Sequence, residues 1–139
     1  MSAPEYILAL DYGEKRVGVA IAHVVARLAR PLTTLQNSPS VFDDIQKLVD
    51  QENIAQVVVG LPRSMDGGYS AQTIAAETFQ KKLAAQLQIP VELTDETLTS
   101  VDARAELSGK PYAKSDVDAL AATYILERFL VDHPVGVRL

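Results

Sequence analysis

Residues 55–61, AQVVVGL, constrain this chain more than any other segment. The run is apolar without a period of two, so it does not read as a strand with one wet face. It reads as a central parallel strand covered on both faces. Such a strand needs helices on either side of a sheet, which sets the class as α/β. The flanking patterns supply those helices. Positions 41, 42, 45, 48 and 49 have helical spacing within 41–51. Residues 70–88 form a longer helix whose apolar stripe is expected at Ile74, Phe79, Leu83 and Leu87.

The segment before residue 40 has a different character. Residues 5–11, EYILALD, read as a buried strand that ends in an acid. Tyr12-Gly13-Glu14-Lys15 is a turn, with Gly13 able to take a positive φ. Residues 16–24, RVGVAIAHV, form the return strand of a hairpin. Gly18 within that strand signals a bulge or close packing. Residues 28–35 form a third strand, which Pro31 confines to an edge or a bulge. After the 55–61 strand come a turn-rich loop at 62–69 and the 70–88 helix. VELTD follows Pro90 as a strand, Thr99 caps a short helix to about residue 107, and a last helix runs from 115 to 131. The order predicts a mixed five-stranded sheet, three antiparallel strands then parallel ones, flanked by helices. With 139 residues and no linker or repeat, residues 1–139 read as a single domain.

Composition narrows the chemistry. The absence of cysteine excludes disulfides, a thiolate nucleophile and thiolate zinc sites, and fits a reducing compartment. His23 and His133 are the two histidines, too few for a histidine-rich metal centre. A metal would sit on carboxylates, which favours magnesium or manganese. No signal-peptide pattern opens the chain and no apolar run approaches the roughly 18 residues of a membrane span. The expectation is therefore a cytoplasmic protein with no membrane partner. The net charge of −5 argues against a nucleic-acid binder, whose footprint is usually basic. A carboxylate site that cations neutralise would reduce that objection.

Several acids are candidates for chemistry. Asp11 ends an apolar strand, at the sheet edge where α/β proteins place ligands. It can equally be a turn residue that accepts backbone N–H bonds. Asp118 shares a helical stripe with Ala121, Ala122, Ile125 and Phe129, and a carboxylate facing the core needs a partner or a metal. The alternative is a capping role through Ser115-Asp116-Val117-Asp118. Asp95, the last residue of VELTD, and Glu96 after it point to opposite faces in a strand, so one of them joins any given site. Three acids from separate elements can chelate two cations, an arrangement suited to phosphodiester cleavage. Lys15, Arg16 and Arg63 are placed to contact phosphates or to be solvated surface charges. Gly60 can admit a backbone approach to substrate or simply end its strand.

Taken together, LALDYGEKRVGVAIA, VVVGLPRSMDGG, LTDETLTSVDARAEL and SDVDALAATYIL resemble the bacterial YqgF family, in order and from about residue 6 to 130. Members carry provisional assignments as pre-16S rRNA nucleases or Holliday junction resolvases with a ribonuclease H-like fold. The resemblance implies that Asp11, Glu96 and Asp118 are catalytic and hold magnesium or manganese, with Asp95 beside them. It implies that the metal activates a water for attack on phosphorus. It places Gly13, Lys15, Arg16 and Gly18 in a first motif, and Gly60, Leu61, Pro62, Met65, Asp66 and Gly67 in a second that shapes a substrate loop. Three departures make the site more acidic: Thr97 where the family usually carries Arg, Glu14, and the sparsely basic loop 109–114. Arg104 is the candidate to restore phosphate contact. Expected partners are structured RNA such as pre-rRNA, or branched DNA, with the protein a monomer or homodimer. Resolution of a four-way junction would require a dimer. A non-catalytic RNA- or ribosome-binding module is the third reading.

Overall fold

A computed structural model describes residues 5–61, 70–95 and 114–133. Five strands form one sheet in the order β3-β2-β1-β4-β5. They are β1 (Tyr6–Tyr12), β2 (Arg16–His23), β3 (Arg30–Gln36), β4 (Ile54–Leu61) and β5 (Val91–Asp95). The pairs β1/β2 and β2/β3 are antiparallel, whereas β1/β4 and β4/β5 are parallel. Among the described residues three helices flank the sheet: α1 (Val41–Gln51), α2 (Ala71–Gln86) and α3 (Lys114–Asp132). This is the mixed sheet expected from the sequence. The short helix expected at 99–107 lies outside the described residues.

The apolar runs become central strands because both faces are covered. Alternate residues of β1 serve two cores. Leu8 and Leu10 pack with Val17, Val19, Ile45, Val57, Val59, Phe79 and Leu83 on the α1/α2 face. Ile7 and Ala9 pack with Ala20, Ala22, Val58, Ala122, Ile125 and Leu126 on the α3 face. Burial of this kind contributes about 25 cal/mol per Å² of apolar surface, the dominant favourable term in folding.

Pro31 lies where its missing N–H is tolerated. β3 is an edge strand, and its register against β2 shifts between Val19 and Ala20, the residues paired with Thr33 and Pro31. α2 begins at a capping box. Ser70 Oγ accepts from the Thr73 backbone N–H at 3.3 Å, and Thr73 Oγ1 accepts from the Ser70 N–H at 3.2 Å. Its buried stripe is Thr73, Ala76, Phe79 and Leu83. Ile74 is exposed, contrary to the expected stripe. Five residues separate Ile74 from Phe79, about 140° around a helix, whereas Ala76 stands three residues from Phe79 and takes the inner position.

The last helix follows its expected stripe. Ala121, Ala122, Ile125 and Phe129 are buried, and Leu126 joins them. Its far end is held by Arg27, which has a positive φ of 58°. The Arg27 guanidinium donates to the carbonyl oxygens of Leu130, at 2.9 Å, and of His133. These carbonyls belong to the end of a helix that has no basic residue in its own last turn. No described helix is long and apolar enough to cross a membrane.

Candidate active site

Gly18 fixes where α3 crosses the sheet. A Cβ built on Gly18 would lie 1.9 Å from the carbonyl oxygen of Asp118, 2.3 Å from its carbon and 2.9 Å from the Ala119 nitrogen. The helix backbone therefore rests directly on β2 at this residue. Of the two expectations for Gly18, close packing is the one realised; the β2/β3 register shift lies further on, between Val19 and Ala20. The β1–β2 turn shows a related constraint. A Cβ on Gly13 would stand 2.5 Å from the Arg16 carbonyl oxygen, so glycine is needed there for space, and its φ lies outside the left-handed region. Among the described non-glycine residues, positive φ falls on Arg27 and Asn53.

Asp11 pairs with Gly18 on one side and with Gly60 on the other. Gly18 in turn pairs with Thr34, and Gly60 with Thr94. Register partners point to the same face, so Thr34, Gly18, Asp11, Gly60 and Thr94 form one row across the sheet beneath α3. The Asp11 carboxyl is thus flanked by residues without side chains on both neighbouring strands. The Asp118 backbone, seated on Gly18, therefore lies over the strand residue paired with Asp11. The Asp11 side chain is half-buried.

Arg16 alternates with Gly18 on the α3 face of β2. Its Nε donates to Asp118 Oδ2 at 2.5 Å, in an ion pair whose side chains retain 28% and 22% exposure. Asp118 is the fifth residue of α3 and binds across to β2, so this contact is not the cap that Ser115-Asp116-Val117-Asp118 suggested. Lys15 is exposed at the β1–β2 turn. The turn is braced by Asn37, whose N–H donates to the Lys15 carbonyl at 2.9 Å and whose Nδ2 donates to the Gly13 carbonyl at 2.8 Å. On the β5 side a cavity of about 300 Å³ is lined by Leu61, Leu93, Thr94, Arg128 and Asp132.

Asp11, Gly60, Lys15, Arg16 and Asp118 are therefore placed by described elements. Asp95 ends β5 in register with Leu61. Glu96, Arg63 and Arg104 lie outside the described residues, as do Thr97 and the loop 109–114. Among the described residues no group of three or more His, Asp or Glu side chains assembles into a metal-holding cluster. Sequence reasoning missed the two threonines and the flanking role of the glycines. The available signal was Gly18 and Gly60 interrupting β-branched runs, but their register against Asp11 is a tertiary fact.

The chain matches the family described as RuvX: Holliday junction resolvase over residues 5–132. A protein of Chloroflexus aggregans that carries the provisional name pre-16S rRNA nuclease is 45% identical over 130 residues, spanning 89% of this chain and 92% of its own. One of the same name from Azotobacter vinelandii is 36% identical over 142 residues, spanning 98% of this chain and all of its own. Among solved structures, RuvC of Thermus thermophilus in complex with Holliday junction substrate superposes with a TM-score of 0.54 at 15% identity, over 92% of this chain and 95% of that one. The shared fold is the ribonuclease H-like arrangement of a mixed five-stranded sheet with flanking helices.

Proposed function

This chain belongs to the RuvX family, and we propose that it hydrolyses nucleic-acid phosphodiesters with magnesium or manganese, at the 5′ end of the 16S rRNA precursor. The observation that carries the reading is the row Thr34-Gly18-Asp11-Gly60-Thr94 with the Asp118 backbone seated on Gly18. It supports the reading because the Asp118 backbone rests on Gly18, the strand neighbour of Asp11, on one face of the sheet.

The donors suit a hard cation. Histidine and cysteine take no part, and carboxylate oxygens are the ligands such ions prefer. On the Gly18 side the α3 backbone fills the space beside Asp11, and on the other side Gly60 adds no side chain next to the carboxylate. Asp11, Asp118 and Glu96 would hold it, with Asp95 adjacent. When bound, the ion supplies positive charge that activates water and offsets charge developing on the phosphoryl oxygens.

The remaining work falls to the chain itself. Lys15 and Arg16 stand on the turn and strand next to Asp11 and would grip the phosphates on either side of the scissile bond. The turn carrying them is held by Asn37, so both cations are presented from a fixed backbone. Gly60 admits the substrate backbone close to the sheet. Arg63 and Arg104 would extend the grip along the strand. The net charge of −5 implies that substrate binding depends on the cation more than in a basic nuclease.

The alternative with a specific observation behind it is junction resolution, supported by the family description and by the likeness to RuvC. Cleavage of a pre-16S 5′ leader RNA and of a four-way DNA junction, each with manganese, separates the two. Processing of the RNA with an inert junction supports the proposal. Paired symmetric nicks in the junction with an uncut leader would replace it with the resolvase. RNA binding without cleavage of either substrate would leave a binding module.

A further inference from the structure

Arg16 is held in an ion pair by the Asp118 carboxylate. Arg16 and Gly18 rise from the same face of β2, and the Asp118 backbone is fixed on Gly18. The guanidinium therefore meets the Asp118 carboxylate by construction. Nε donates to Oδ2 at 2.5 Å, a short charge-assisted bond, and both side chains remain about one-quarter exposed. Such a pair is neither fully solvated nor sealed from an incoming ion. A cation at Asp118 and the Arg16 guanidinium compete for the same charge.

We infer that Arg16 is a resident counter-ion that sets the divalent-metal affinity of Asp118 and passes to a substrate phosphate when the metal binds. This rests on the reading of Asp118 as a cation-holding residue. With Nε engaged by the carboxylate, the terminal amino groups of the guanidinium still carry further donors. Those donors match phosphate as well as carboxylate, so the exchange conserves hydrogen bonding while moving one positive charge from the acid to the substrate. The device makes metal binding and phosphate binding mutually favourable: each releases the partner that the other needs. It also gives an acidic chain a phosphate contact that is presented only beside a loaded site. Arg16 acts on the metal through Asp118, so in that respect it is a positioning residue.

The test is manganese binding, read as the loss of the free-ion electron paramagnetic resonance signal without substrate. It compares the wild type with Arg16→Ala, Arg16→Gln, Arg16→Lys and Asp118→Asn, each checked for folding by thermal melting. Removing a full charge beside a carboxylate shifts its affinity for a cation by roughly tenfold, the low end of the effect a neighbouring charge has on proton binding. Arg16→Ala should therefore bind manganese about tenfold more tightly, and Arg16→Lys about as the wild type does. Arg16→Gln keeps part of the stem without the charge and should follow Arg16→Ala, which decides the matter if the alanine variant melts early. At saturating manganese, Arg16→Ala should raise KM for substrate more than it lowers kcat. Unchanged or weaker manganese binding in the neutral variants, with binding still lost in Asp118→Asn, would overturn the counter-ion role alone. Wild-type manganese binding in Asp118→Asn would overturn the underlying site reading as well.

Discussion

Leu8, Leu10, Val17, Val19, Ile21, Val57 and Val59 cover one face of the sheet, whereas Ala9, Gly18, Ala20, Ala22, Val58 and Gly60 line much of the other. The first face supports α1 and α2 through thick side chains, with Phe79 packed at 4.8 Å on Tyr12 and at 5.3 Å on Phe42 between ring centres. The second lets α3 lie close enough for backbone to touch backbone at Gly18. Bulk on the first face stabilises the domain. Small size on the second brings Asp118 of a helix beside Asp11 of a strand. Both faces bury a core, and they differ in how closely a helix can approach the sheet.

Substitutions can break that division. Gly18→Ala should have the largest effect. Its Cβ would meet the Asp118 carbonyl at 1.9 Å, so α3 must lift or tilt. Displacing a catalytic group by about 1 Å is enough for a rate loss on the order of 100-fold, with a stability loss of about 3 kcal/mol from overpacking. Kinetics and urea denaturation on the same preparation check both. Leu8→Ala on the opposite face should cost about 3 kcal/mol by leaving a cavity under α1 and α2. The folded fraction should keep its rate, because α3 does not rest on Leu8. If Leu8→Ala also cut the rate of folded protein 100-fold, the two faces would not be separable.

Smaller changes sharpen the same contrast. Ser70→Ala removes the side chain that accepts from the Thr73 N–H, and should lower stability by about 1 kcal/mol in a denaturant titration. Val131→Ser, on the solvent side of α3, should change stability by less than about 0.5 kcal/mol.

The faces also differ in how far the sequence reveals them. Local signals were enough for the strands, for Pro31 on the edge strand and for α1, because each rests on spacing or on one residue's stereochemistry. The α2 stripe was misplaced by one apolar residue: Ile74 is hydrophobic, yet its angle on the helix turns it outward. The candidate site was legible as a list of acids and cations in ordered motifs. Its geometry was not. Nothing local states that Asp11 is registered between two glycines, or that Arg16 donates to a residue 102 positions away. Those relations arise when β1, β2, β4 and α3 are assembled. Glu96, Arg63 and Arg104, which complete the expected site, lie outside the described residues.

The central proposal is that Asp11 of β1 and Asp118 of α3, on the same face of the sheet, take part in metal-dependent phosphodiester cleavage. It is tested most directly by the manganese-dependent cleavage rate of a pre-16S 5′ leader RNA with Asp118→Asn, an isosteric change that removes the charge and keeps the helix. The account predicts a rate lower by on the order of 1000-fold, with the melting transition preserved. A folded Asp118→Asn protein that cleaves within a few-fold of the wild-type rate would contradict it.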